Sequence, residues 1–352
     1  MIEGILKTIQ RTLLTIINVK LYTWLRKYDA KSSNIVLIYP NFPVNLLKYF
    51  YSDAFINDAA LINAVATITP SFNIQLGKKR APVQKNIYLN INNRYTESSE
   101  NYTEAVYDYT QNLSQNNNVF PKSYEILFWE NKVFMHDKFE ELGIPTPKTV
   151  AIEIHNLFTL PIGFSFPCLL KEIHSAGSNG VHKINSIEDA EIILTSLRSQ
   201  NLQCDKILVQ SLLFMDRDLR VILIGKEIVS YYWRINLGKE WKPTSTKHGS
   251  RVDFEYFPDE WKSYIIEIFQ KLNINTGAFD LVWENNDYSK PPVVLEVSPS
   301  YQPNPVPPQN LKVSYGKYKS GFRLIDSWDS RFIKEVNRLK ENLVRYNIQN
   351  KV

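Results

Sequence analysis

Lys171 closes an apolar run, FPCLLKEI (166–173), and the small-residue stretch HSAGSNG (174–180) follows it directly. A lysine projecting from a rigid strand beside such a loop can hold polyphosphate, because the ammonium supplies charge while the loop lets backbone N–H groups approach the oxygens. An ordinary surface turn fits the same letters. Further on, Asp280 and Glu296 each sit inside an apolar run, AFDLV and VLEVS. A carboxylate buried in a strand is costly unless it is paired or coordinated. If the two strands are neighbours, the acids converge, either on a hard cation such as magnesium carried with nucleotide phosphate or in a structural salt bridge.

The elements that must position these residues can be read from periodicity. NIVLIY (34–39), ending at Pro40, reads as a buried first strand and IYLNI (87–91) as another. The stretch 92–118, rich in Asn, Ser, Thr, Tyr and Glu, reads in part as a long surface excursion. Helical spacing over 133–142 stops at Gly143 with Pro145 and Pro147 beyond, which marks a boundary. Downstream, strands are expected at 166–173, 206–213, 219–233, 277–284 and 292–298, with helices over 186–198 and 259–272. The turn at Gly225-Lys226 predicts a hairpin, and strands arranged so predict a largely antiparallel α+β unit. A proline-rich loop, 299–308, and an amphipathic helix near 330–347 follow.

Composition narrows the function class. A chain of 352 residues, 44% apolar and 22% charged, is globular and long enough for two or three packed units. Its net charge of +5 is spread out with no basic block, so nucleic acid is not an expected partner. Cys168 and Cys204 form no CxxC, and no two of His136, His155, His174 and His182 have metal-ligand spacing with a third partner. Neither a zinc site nor a disulfide framework is expected, and a cytoplasmic, reducing setting fits best. Residues 2–28 space Ile2, Ile5, Leu6, Ile9, Leu13, Ile16, Ile17 and Leu21 as an amphipathic helix, but the charge-free run from Thr12 to Val19 is too short to span a bilayer. That helix either packs on its own protein or on a second copy, or lies peripherally on an anionic membrane surface.

Taken in order, these pieces resemble the ATP-grasp superfamily of ATP-dependent ligases, nearest the branch of ribosomal-protein glutamate ligases and D-alanine–D-alanine ligases, over about Asn131 to Pro305. The resemblance implies an α+β / α/β chain with the ATP-grasp fold behind an N-terminal α/β (pre-ATP-grasp) domain. The implied division is 1–30 as the amphipathic helix, 31–128 as the N-terminal domain, 129–305 as the ATP-grasp region and 306–352 as a C-terminal extension. Within the ATP-grasp region a small lid covers about 145–212 and a larger subdomain about 213–305.

The segment NKVFMHDKFEELGIPTPKT looks like the family's opening helix, whose lysine meets nucleotide phosphates, here Lys138. FPCLLKEIHSAGSNGV resembles the second-lysine strand and phosphate-covering loop, which implies Lys171, Ser175, Gly177, Ser178 and Gly180 as nucleotide contacts. ILVQSLL resembles the hinge, with backbone groups of Ser211 and Leu212 on adenine and Gln210 where the family often has Glu. DLRVILIGKEIV resembles the next hairpin, with Arg220 in the arginine position and Asp218 or Asp216 as ribose acceptor. TGAFDLVWE with VLEVSPS resembles the metal-binding pair, implying Asp280, Glu296 and Ser298 as magnesium ligands. The family commonly reads Glu-x-Asn there, so Ser298 replaces an amide oxygen by a hydroxyl, and the phosphate loop has less glycine than usual.

The basic stretch after the hairpin supplies Arg234 and Lys242 for the acyl phosphate and substrate carboxylate, a solvated loop being the other reading. What the resemblance implies is an ATP- and Mg2+-dependent carboxylate–amine ligase, forming an acylphosphate from one small acid and passing it to an amine. A nucleotide-binding protein without turnover, acting as an interaction or membrane-surface subunit, is the competing class.

Overall fold

The structure is a computed structural model that describes residues 2–18, 26–29, 33–39, 49–50, 52–77, 82–89, 102–128, 131–173, 178, 180–199, 205–238, 240–323 and 326–350. The chain divides into two compact units, one made of 1–126 with 300–352 and the other of 127–299.

The first unit opens with α1 (Ile2–Asn18), β1 (Ile35–Tyr39), α2 (Asp53–Ile68), β2 (Asn73–Leu76), β3 (Asn86–Leu89), α3 (Tyr102–Ser114) and β4 (Asn118–Phe120). Its strands form one parallel sheet in the order β2-β1-β3-β4. Both faces are covered, which explains why NIVLIY shows no polar alternation. Ile35 and Leu37 pack in one cluster with Leu61, Ala64 and Val65 of α2, while Val36 and Ile38 join the other with Val106 and Leu113 of α3. Of the stretch 92–118, expected in part as a surface excursion, 102–114 is helical and 118–120 is a strand, and 92–101 lies outside the described residues. Val106, Thr110 and Leu113 are buried at helical spacing, so a face with few apolar letters was enough once the sheet was there to receive it.

The second unit begins as the short α4 (Ser123–Leu127) ends, and continues through α5 (Lys132–Glu141), β5 (Thr149–Glu153), β6 (Cys168–Glu172), β7 (Val181–Ile184), α6 (Ile187–Ser199) and β8 (Lys206–Ser211). Then come β9 (Arg217–Ile224), β10 (Glu227–Ile235), β11 (Arg251–Asp253), α7 (Lys262–Lys271), β12 (Thr276–Val282) and β13 (Val293–Ser298). Two antiparallel sheets result, β5-β8-β6-β7 and β11-β10-β9-β12-β13. The smaller sheet packs Cys168, Leu170, Ile207 and Val209 against Ala190, Leu194 and Leu197 of α6. The β9–β10 hairpin turns at Gly225, whose φ of 58° lies in the left-handed region that favours glycine. Asn131 caps α5 by accepting a hydrogen bond from the Phe134 N–H at 3.1 Å.

The chain then returns to the first unit as α8 (Tyr315–Ser320) and α9 (Trp328–Gln349). Val344 of α9 enters the core beside Leu37, Leu61 and Val65, so the C-terminal segment is part of that unit's core and not an extension from it. The N-terminal helix belongs to the same unit, but its orientation reverses the usual expectation for an amphipathic helix. α1 turns its polar side inward: the Lys7 ammonium donates to Lys319 O at 2.7 Å, Gln10 to Arg323 O, and Arg11 pairs with Asp53 and, at 3.3 Å, with Asp329. Leu6, Ile9, Leu13, Ile16 and Ile17 are left exposed. The cause is local electrostatics, since Asp53 and Asp329 stand in the first turns of α2 and α9 and Arg11 lies between them. No helix among the described residues is long and apolar enough to cross a membrane.

Candidate functional site

Strand register alone gathers the charges of the second unit. In antiparallel pairs, directly opposite residues share a face. Arg234 on β10 lies opposite Asp218 on β9, and Asp280 on β12 lies opposite both Arg220 on β9 and Glu296 on β13. Asp218 and Arg220 are two apart on one strand, so all five groups lie on a single face of the five-stranded sheet. The register of β12 and β13 shifts after Asp280, passing from Glu296 to Val294 and leaving Leu295 as an extra residue. This bulge lets two consecutive residues, Leu295 and Glu296, line the same cleft.

Both sheets line that cleft. Lys171 of β6, Lys132 of α5, Arg234, Asp218, Asp280 and Glu296 supply charge, and Ser178 of the small-residue loop also faces in. Leu169, Val181, Leu212, Leu213, Met215, Leu295 and Trp241 give an apolar slot beside them. Burial pushes the Lys171 ammonium down to about 8; Glu296 pulls it back up and Lys132 adds to the fall. Two cations thus share one partly dehydrated cleft, a setting that an incoming polyanion would relieve.

The acids are less available than the cations. Arg220 grips Asp280 with both arms, Nε to Oδ1 at 2.7 Å and a terminal nitrogen to Oδ2 at 2.8 Å, and Arg234 reaches the same Oδ2 at 2.7 Å. Burial alone would raise the Asp280 pKa, but Arg220 and then Arg234 outweigh it and hold the carboxyl well below the usual range. Arg234 also holds Asp218, with Nε 2.8 Å from Oδ1. Among the described residues no cluster of three or more His, Cys, Asp or Glu is arranged to hold a metal ion. Glu296 lines the cleft and fits a hard cation as a single carboxylate completed by phosphate oxygens and water. Asp280 fits one only by giving up its arginines. Ser298, opposite Ala278, does not line the cleft, so the expected three-ligand set is not assembled.

Gln210 lines the cleft and is buried, with its amide nitrogen 2.9 Å from Thr149 Oγ1 and 3.3 Å from His136 Nε2. Burial, then Lys171 and Lys132, push the His136 imidazole down to about 3, so it is neutral and its Nε2 can accept from Gln210. Its other nitrogen is 3.3 Å from Thr146 Oγ1.

Several sequence expectations need correction. Lys138 pairs with Glu141 on its own helix and does not line the cleft; Lys132 does. Six residues of helix turn the two lysines well apart, and Lys132 is the one that shares a stripe with buried Met135, His136 and Phe139. That stripe was the signal available for finding it. Ser211, whose N–H donates to Lys148 O at 2.9 Å, lines the cleft together with Leu212 and Leu213. Lys242 donates to His248 O at 2.9 Å and lies off the cleft, whereas its neighbours Trp241, Pro243 and Thr244 line it. Asp216 pairs with Arg217 away from the site. Gly180 O accepts from Glu172 N–H at 2.8 Å, at the neck of the loop. Ser175 and Gly177 lie outside the described residues. Trp241, Met215 and Leu295 carry no sequence signal, being apolar letters whose direction only the fold sets.

No family model matches the chain, and no curated protein matches it in sequence. Solved structures do resemble it. A RimK-domain ATP-grasp protein from Sphaerobacter thermophilus is 15% identical with a TM-score of 0.52, covering 75% of this chain and 90% of that one. D-alanine–D-alanine ligase from Bacillus anthracis, solved with ATP, is 10% identical with a TM-score of 0.54, covering 91% of this chain and 100% of its own. D-cycloserine synthetase DcsG is 12% identical with a TM-score of 0.50, covering 87% and 99%. Such likenesses speak for the fold.

Proposed function

We propose that this chain, whose fold is ATP-grasp, is an ATP-dependent carboxylate–amine ligase working on a small acid and an amine. The observation that carries the reading is the pair of cations, Lys171 and Lys132, facing one cleft that apolar side chains also line. Among the described lining residues no hydroxyl or thiol is hydrogen-bonded to a histidine, which fits a reaction that needs no side-chain nucleophile. In such a reaction a substrate carboxylate oxygen attacks the γ-phosphorus of ATP and ADP leaves. The amine then attacks the acyl carbon, loses a proton, and phosphate departs. Both steps gather negative charge on phosphoryl and acyl oxygens, and fixed cations stabilise it without reorganising.

In this reading Lys132 and Lys171 hold the phosphates, Leu212, Leu213 and Leu295 sandwich the base, and Arg234 faces the transferring group. A bound magnesium ion would supply further charge at the phosphates, with Glu296 as its protein ligand. Incubation with ATP and a mixture of carboxylic and amino compounds should release ADP and phosphate, and Lys171→Ala should reduce the release to background. Absence of adenine-nucleotide uptake by calorimetry would end the proposal.

A second reading, nucleotide binding without turnover, is favoured by one observation: both Asp280 oxygens are taken by arginines. Tight nucleotide uptake with no phosphate release under any acid and amine tried would select it.

A further inference from the structure

We propose that α1 docks this protein on an anionic lipid surface, its outward aliphatic stripe entering the headgroup boundary while nearby cations meet the lipid phosphates. The helix is anchored by the side that amphipathic helices usually give to water. Gln10 is 5% exposed and Thr15 fully buried, while Leu13 is 53% and Ile17 68% exposed. Leu6, Ile9, Leu13, Ile16 and Ile17 fall within an arc of about 100° at helical spacing, on the side away from Lys7, Arg11 and Thr15, with Gln10 bordering one edge of it. Because Lys7, Gln10 and Arg11 are tied to Lys319, Arg323, Asp53 and Asp329, the stripe cannot roll inward without breaking those bonds.

Charge decides the partner. The segment that receives Lys7 and Gln10 carries exposed Lys317 and Arg323 with exposed Phe322 between them, while the Lys319 ammonium lies 4.8 Å from the centre of the Trp328 ring. The helix carries one acid of its own, Glu3, against Lys7 and Arg11; the acids of neighbouring elements, Asp53 and Asp329, are engaged by Arg11, and Asp326 is paired with Arg331 at 3.0 Å. An aliphatic stripe flanked on its Gln10 edge by a basic segment matches an anionic headgroup layer. A second copy is poorly served: a 17-residue helix is about 25 Å long and its stripe roughly 10 Å wide, far short of the roughly 800 Å² per partner of a stable interface.

The test is flotation of the full chain with vesicles of equal parts phosphatidylglycerol and phosphatidylcholine, and with phosphatidylcholine alone. Flotation with the anionic vesicles is expected, falling at least about tenfold without the anionic lipid or in about 1 M salt, where the Debye length is about 3 Å. The double variant Leu13→Glu, Ile17→Glu should lower it at least about tenfold with an unchanged circular dichroism spectrum, since both side chains are exposed, whereas Leu13→Phe should preserve it. No flotation with either vesicle, flotation indifferent to the double variant, or a dimer in sedimentation that the double variant dissolves with no lipid binding would each overturn the proposal.

Discussion

Lys171 can be interrogated through its proton. In the free protein its pKa is lowered from 10.5 to about 8, chiefly by burial. A bound polyphosphate would raise it again, so below pH 8 both states carry the proton and affinity is flat. Above pH 8 the free lysine is neutral and binding must take up a proton, so affinity should fall by up to roughly tenfold per pH unit. Calorimetry in buffers of different ionisation heat should show uptake approaching one proton near pH 9, and heats independent of buffer would remove Lys171 from the phosphate site. The neighbouring choice between lysines is equally open to measurement. Lys132→Ala should cost about 1.5–3 kcal/mol of nucleotide binding, the worth of a hydrogen bond to a charged group, and Lys138→Ala about nothing, since its exposed pair with Glu141 is worth little. Lys171, Asp280 and Glu296 were legible in the sequence because a charged letter inside an apolar strand stands out. Lys132 was not, because a lysine on a helix is unremarkable until the face it occupies is known.

Elements explain which legible residues reach the cleft. The bulge in β13 is what brings Leu295 in beside Glu296 and leaves Ser298 outside, and a bulge has no letter code. Strand β12 carries Asp280 at its centre and is tight behind it: a Cβ at Gly277 would lie 3.1 Å from Phe269 Cε2 and from Val297 Cγ2, and 3.2 Å from Ile274 Cδ1. Gly277→Ala should therefore destabilise the second unit by about 1–2 kcal/mol, read as a lower midpoint of denaturant unfolding, and a variant of unchanged midpoint would show that these side chains yield freely. The hairpin at Gly225 and the stop of α5 after Glu141 were visible beforehand through glycine and proline. Helix α3 was hidden by its polar letters, since a helix that buries one narrow face on a sheet needs few apolar residues.

At the scale of the molecule, the second unit is one continuous stretch and the first is assembled from both ends of the chain. Residues 127–299 alone should fold and take up adenine nucleotide within roughly tenfold of the full chain, as self-contained domains do. Residues 1–126 alone should not fold, since Val344 of α9 completes the cluster of Leu37, Leu61 and Val65. Dispersed amide spectra for 127–299 and collapsed ones for 1–126 are the expected pair, and a well-dispersed 1–126 would show that α9 is dispensable.

By itself the sequence determined the hairpin and the strands around Lys171, Asp280 and Glu296, helices α5, α6, α7 and α9, the ATP-grasp resemblance and the charged residues inside strands, because periodicity and burial cost are local properties of the chain. Only the tertiary structure decided that Asp280 is held by two arginines, that Lys132 and not Lys138 faces the cleft, and that α1 shows its aliphatic side to the outside. Each depends on what lies across from a side chain, and that neighbour is tens or hundreds of residues away along the chain.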